Sequence, residues 1–301
     1  MATLKQIRKR LTGVRNTQKI TRAMKLVAAA KLRRAQDNML KAKPYAGRMR
    51  DLIWDLSERT SRDAHPLLQV REEKRTMLVV VTSDRGLCGA FNANINRRAE
   101  RTLKAGMSNH ESISLALIGR KGRDYFRRRG YPIDAEYMEV LTDPTFSRVS
   151  EIGSELVAKY LDGKLDAIYV VYNEFKSALS QQVVVERLLP IMPENPDSCD
   201  DDVTAVCPAD VKHLHDEEFK FEPSMETVLN TALPMYFNVR LYFAVLESLA
   251  AEMGARMTAM ESATQNATEL IAKLNLMYNK ARQAAITTEM LEIVSGAEAM
   301  K

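Results

Sequence analysis

Two stretches of this 301-residue chain hold residue types spaced closely enough for chemistry. The first, "VVVTSDRGLCGAFN" from Val79 to Asn92, runs from β-branched residues through a glycine turn into helix formers. A strand, turn and helix in that order can cradle phosphate on backbone N–H groups, as dinucleotide folds do. The spacing completes neither phosphate signature: GxGxxG and GKS/GKT are missing, and only Gly86 and Gly89 are present. A lone glycine pair reads as a tight turn, and Cys88 between them reads as a small packed residue, since the sequence places no base beside it. The second stretch, "PENPDSCDDDVTAVCPADVKHLHDEEFKFEP", carries Cys199, Cys207, His213 and His215. A single residue between the histidines suits a zinc-binding helix poorly, so a solvated acidic loop with free thiols is the favoured reading. Neither a cofactor nor a metal is expected, and no catalytic residue.

Composition narrows the class. The chain is 46% hydrophobic and 28% charged, enough to bury a sizeable core, and no apolar run approaches the roughly 20 residues that span a bilayer. The opening "MATLKQIRKRL" is charged and lacks a signal-peptide core, so the chain is expected to stay in the compartment where it is made. Three cysteines fit a reducing cytosol. Between Met1 and Arg50 fifteen Lys/Arg face the single acid Asp37, a basic rod that needs an acidic partner, a nucleic acid or open solvent. Aromatic interleaving and known reading motifs are lacking, which argues against nucleic acid.

The elements that must position these residues fall into three regions. Residues 1–61 predict one helix broken only by Gly13, Pro44 and Gly47. Leu4, Ile7, Leu11 and Val14 start a three-four stripe that continues through Ala28, Leu32, Ala35 and Met39, with Gln18, Thr21 and Lys25 intruding. Ile20, Met24 and Val27 form an offset second stripe, from which the seam is expected to rotate. Residues 70–192 change period: "TMLVVVTSD", "SISLALIG", "LDAIYVVYNEF" and "QQVVVERLLPI" read as strands. Helical stretches separate them near Asn92–Lys104, Gly122–Arg129 and Phe146–Leu161, an alternation that predicts an open α/β sheet. An acidic loop occupies 193–223. Residues 224–301 hold the second long helix, proline-free from Leu241 to Val294 and roughly 80 Å long if unbroken.

The two terminal helices are each other's obvious partners, so the expected fold is α/β: a long antiparallel coiled coil of N- and C-terminal helices with an inserted Rossmann-like open α/β domain. Leu274, Met277, Ala281, Ala284, Thr288, Leu291 and Ser295 trace the expected seam. Ile286, Met290, Ile293 and Val294 lie off it and are also apolar, so a thin two-helix rod leaves them uncovered and another protein must sheath this end.

"KQIRKRLTGVRNTQKITRAMKLVAAAKLRRAQ", "SDRGLCGAFN" and "YNKARQAAITTEMLEIVSGA" closely resemble the gamma subunit of F-type ATP synthases of bacterial type, in the same order and over nearly the whole chain. Ile286, Thr287, Glu289, Glu292, Gly296 and Ala297 carry the C-terminal signature. The resemblance implies a non-catalytic central rotor of a proton-translocating complex. Its shaft would stand in a ring of alternating alpha and beta subunits, with its foot on the membrane c-ring beside epsilon, at the cytoplasmic face of the inner membrane. It also implies site residues: Arg282, Gln283 and Thr287 as hydrogen-bonding contacts to a catch loop of the ring, with Glu289 in the same signature. Met24 and Lys25 would lie at a contact-rich level of the facing helix, and Phe221 and Glu222 would be foot contacts. Chloroplast members carry a redox-active cysteine pair near the position of Cys199 and Cys207; the spacing here is longer and the loop much shorter, so free thiols are expected.

Overall fold

A computed structural model describes residues 4–106, 112–178, 180–192, 222 and 224–298. The chain divides into two compact units, one of residues 29–255 and one formed by residues 1–28 with 256–301.

The larger unit is built on a five-stranded sheet. Its strands are β1 (Arg75–Val81), β2 (Ser112–Ile118), β3 (Ile133–Tyr137), β4 (Ala167–Phe175) and β5 (Gln181–Leu189). They lie in the order β3-β2-β1-β4-β5; the first four are parallel and β5 closes the edge antiparallel to β4. Four of these strands fall on the runs read from the sequence. β3 was not among them: its "IDAEY" alternates, but it is only five residues long and most of it is acidic or alanine, without the β-branched run that marks the other four. Strand β1 is apolar almost throughout because both its faces are covered. Met77, Val79 and Val81 point into one core, Leu78 and Val80 into the other.

Helices α2 (Phe91–Gly106) and α3 (Arg120–Arg127) cover the second face, where Phe91, Ile95, Ala99 and Leu103 recur every four residues along α2. Helix α4 (Phe146–Leu161) packs Val149, Ile152, Leu156 and Tyr160 on the first face. This is what right-handed crossovers require. The connections β1-α2-β2 and β2-α3-β3 advance one way across the sheet, and β3-α4-β4 returns past β1 on the opposite side.

Two long helices complete the chain, α1 (Leu4–Arg59) and α5 (Met225–Glu298). Within the larger unit α1 buries Ile53 and Leu56, while α5 buries Leu229, Leu233, Phe237, Leu241 and Val245, all in the first core. Helix α5 therefore starts well before Leu241 and runs through Pro234, and α1 runs through Pro44. A proline inside a helix costs about 3 kcal/mol; Leu233 and Phe237, both buried beside Pro234, hold the turn in place.

The smaller unit pairs the start of α1 with the end of α5. Gln18 Nε2 donates to Thr268 Oγ1 at 2.7 Å, the Thr21 and Thr264 hydroxyls meet at 2.7 Å, and Lys25 Nζ lies 2.5 Å from Glu261 Oε1. Partner numbers fall as α1 numbers rise, so the pair is antiparallel. The polar intruders in the α1 stripe thus meet polar residues across the seam, which fixes one register where an all-apolar seam could slide. Apolar layers flank them: Leu11 and Ala28 are buried on α1, Met260, Ala267 and Leu274 on α5. The expected rotation onto Ile20 and Val27 does not occur. Both are exposed, and the original stripe continues.

Candidate functional site

The glycine turn after β1 is a strut among strand ends. Asp84 Oδ1 accepts the N–H groups of Arg120 (3.1 Å) and Glu139 (3.2 Å), which joins the loops after β1, β2 and β3. A Cβ on Gly119 would stand 2.0 Å from the Thr82 carbonyl oxygen, so glycine there is a requirement of close approach. Cys88 is buried, its sulfur accepting from Asn92 Nδ2 at 3.2 Å, while Asn92 Oδ1 accepts the Ser83 N–H. The crevice of a doubly wound sheet lies where strand order reverses, here between β1 and β4. Helix α5 packs there: Ala251 joins Cys88 and Val171 in the second core, and a Cβ on Gly254 would come within 3.3 Å of the Ala178 backbone. The same loop holds a feature the sequence did not reveal. Leu87 is 65% exposed with φ +66°, an apolar residue in a left-handed conformation that L side chains rarely adopt.

The end of α5 is the other candidate. Along the seam Leu274 is buried and Tyr278, Ala281 and Ala285 are half-buried, whereas Met277, Ala284, Thr288, Leu291 and Ser295 are exposed. The inward stripe therefore takes Tyr278 and Ala285 in place of Met277 and Ala284, and it stops. Extended at the offset set by Gln18–Thr268, Leu4 reaches the level of Arg282, so the described part of α1 offers nothing to face Leu291. Every described side chain from Ile286 on is exposed, including Ile286, Met290, Leu291, Ile293 (71%) and Val294.

Among the expected contact residues, Arg282, Gln283, Thr287 and Glu289 share this bare end with Ile286 and Met290. Thr287 Oγ donates to the Gln283 carbonyl one turn back, at 2.9 Å. Met24 and Lys25 are half-buried within the helix pair, with Lys25 committed to Glu261. Glu222 borders a shallow groove with Tyr45, Met49 and Val228 in the larger unit. Phe221, Cys199 and Cys207 lie outside the described residues, as do His213 and His215.

An apolar helix end without cover in one unit, and a doubly wound domain with its crevice filled in the other, define a class of assembly subunit, and comparison with known proteins gives the family. A family model described as ATP synthase matches residues 3–300. The ATP synthase gamma chain of Anaeromyxobacter sp. (strain Fw109-5) is 47% identical over 304 residues, and that of Geobacter sp. (strain M21) 45% over 301, each alignment covering both chains completely. The fold resembles a chain of the Euglena gracilis mitochondrial ATP synthase (OSCP/F1/c-ring), with TM-score 0.64 and 21% identity over 99% of this chain and 94% of that one. It also resembles one from the central stalk and c-ring of the Tetrahymena thermophila enzyme, with TM-score 0.60 and 24% identity over 81% and 99%. The chain belongs to the ATP synthase gamma-chain family.

Proposed function

We infer that this chain is the central-stalk rotor of a proton-translocating F-type ATP synthase, a non-catalytic subunit that couples rotation to ATP synthesis or hydrolysis on its neighbours. Family membership supports the role, and the observation that carries it is the uncovered apolar end of α5. Alpha and beta subunits would sheath Ile286 and Met290, with Arg282, Gln283, Thr287 and Glu289 supplying polar contacts and Met24 and Lys25 a second level of contact. The epsilon subunit and the membrane c-ring would take the surface around Phe221 and Glu222.

The mechanism follows from symmetry. Three equal catalytic sites in a ring differ in affinity only if something asymmetric touches each differently, and one rotor chain presents a different side to each in turn. Rotation then shifts the population of each site in sequence. No described helix is long and apolar enough to cross a membrane, so attachment to the cytoplasmic face of the inner membrane would come through the complex. Isolation of the tagged chain from its source lysate is expected to bring ATP synthase alpha and beta subunits with it. Recovery without them, or with nucleic acid lost steeply as salt rises, contradicts the reading.

A further inference from the structure

Where α5 crosses the β4–β5 hairpin, one carboxyl has no counter-charge left for it. Glu247 is buried, and its Oε2 is shut from solvent with no hydrogen-bond partner. Tyr172 and Glu174 of β4 and Glu186 of β5 project from the same face of the sheet, beside Arg240 about two turns earlier on α5. The Arg240 guanidinium donates from Nε to Glu186 at 2.8 Å, bonds the same oxygen again through Nη2, and reaches the Tyr236 hydroxyl at 3.2 Å through Nη1. The Tyr172 hydroxyl donates its one proton to the other Glu186 oxygen at 3.0 Å, leaving none to offer Glu247. Three carboxyls thus share one guanidinium and one phenol, and both donors are directed first at Glu186. A buried carboxylate left in that position is strongly disfavoured.

We propose that Glu247 holds a proton while α5 is seated on the β4–β5 hairpin, and that loss of this proton unseats the contact, making this edge of the sheet a proton-responsive element. Burial, with Glu174 and Glu186 adding repulsion, pushes the carboxyl up to about 8 against the pull of Arg240. The step is a plain acid dissociation, with the proton passing to water and the carboxylate staying behind. A cavity of about 460 Å³, lined by Tyr172, Glu174, Glu186 and Arg240, lies alongside for that water. The sign is fixed by linkage. The unfolded chain releases this proton near the ordinary glutamate value and the folded chain only near 8, so the fold loses stability as pH rises through that interval and levels off above it.

The test is infrared titration of the full chain between about pH 6 and about pH 9.5, together with hydrogen exchange of the β5 amides corrected for intrinsic rates. The wild type is expected to lose a protonated-carboxyl band centred near pH 8, and its β5 amides to exchange several-fold faster over the same interval. Glu247→Gln should show neither change. Glu186→Gln removes a repelling carboxylate and leaves Arg240 freer to favour the ionised form, so the band should titrate at lower pH. A wild type with no such band, a band that survives in Glu247→Gln, an upward shift in Glu186→Gln, or β5 exchange unmoved while the band titrates would each overturn the proposal.

Discussion

Two parts of one helix follow opposite rules. Between Arg256 and Ala285, α5 keeps an inward stripe against α1, where apolar layers alternate with the pairs Thr21–Thr264 and Gln18–Thr268. From Ile286 to Glu298 the helix is as apolar, and every described side chain is uncovered. Apolar content alone therefore does not mark a packed seam. What decides is whether a facing helix extends that far, and the described α1 begins at Leu4. The covered part holds its own fold together, while the bare part is the surface that the proposed function gives to other chains.

Substitutions can separate the two parts. The largest effect is expected at Leu274, which is buried in the seam: Leu274→Asp should cost several kcal/mol, on the order set by burying an unpaired carboxylate, and lower the helix signal of the isolated chain on heating. Ile286→Asp, Met290→Asp and Leu291→Asp should leave that melting curve within about 0.5 kcal/mol of wild type, because these positions are exposed. Leu291 separates sequence from structure most sharply, since the heptad places it in the seam.

In the larger unit an ion pair between buried Asp166 and half-exposed Arg75 offers a contrast to the seam. Asp166 accepts from the Arg75 backbone N–H at 2.8 Å and from its guanidinium at 3.2 and 3.0 Å. Burial alone would raise this carboxyl, yet the Arg75 contacts outweigh it and hold the group below its ordinary value. The stabilisation is therefore complete above the ordinary aspartate value and lost as pH falls through the depressed one. Asp166→Asn should cost about 1.5–3 kcal/mol at neutral pH and flatten the acid limb of the stability curve, as urea titration at several pH values would reveal.

The polar seam pairs should matter less. Thr21→Val leaves the Thr264 hydroxyl its bond to the Met260 carbonyl at 2.7 Å, so about 0.5–1.5 kcal/mol is expected, and less in the double valine variant. Lys25→Ala should be smaller again, about 0.2–1 kcal/mol and diminishing with salt, because Lys25 and Glu261 are both substantially exposed. A large loss at Lys25 would show that this level of the seam carries more of the pairing than its geometry suggests.

Much of this arrangement was legible in the sequence. The β-branched runs gave four strands, and the helix Phe146–Leu161 falls where its periodicity put it. The polar intruders at Gln18, Thr21 and Lys25 were visible too, but their partners were not, since antiparallel register depends on residues some 240 positions away. The choice of Tyr278 over Met277 was hidden for a physical reason. Both are amphipathic or apolar, and a three-four repeat tolerates either until the facing helix selects one. The proline-free stretch read from Leu241 did not show that the helix runs on through Pro234, whose cost the surrounding core absorbs. Glu247 gave no signal at all, because its neighbours arrive from β4 and β5.

Under the proposed function the bare end of α5 sits inside a ring of other subunits. The most direct test is reconstitution of the chain with ATP synthase alpha and beta subunits, comparing wild type with Met290→Asp and with Arg282→Ala, Gln283→Ala for complex formation and ATP hydrolysis. The account predicts that Met290→Asp, folded as well as wild type alone, forms the complex at least ten-fold less tightly, in line with desolvating a charge at an interface. It predicts that the Arg282, Gln283 pair assembles but turns over more slowly. Wild-type affinity and wild-type turnover in all of these variants would contradict it.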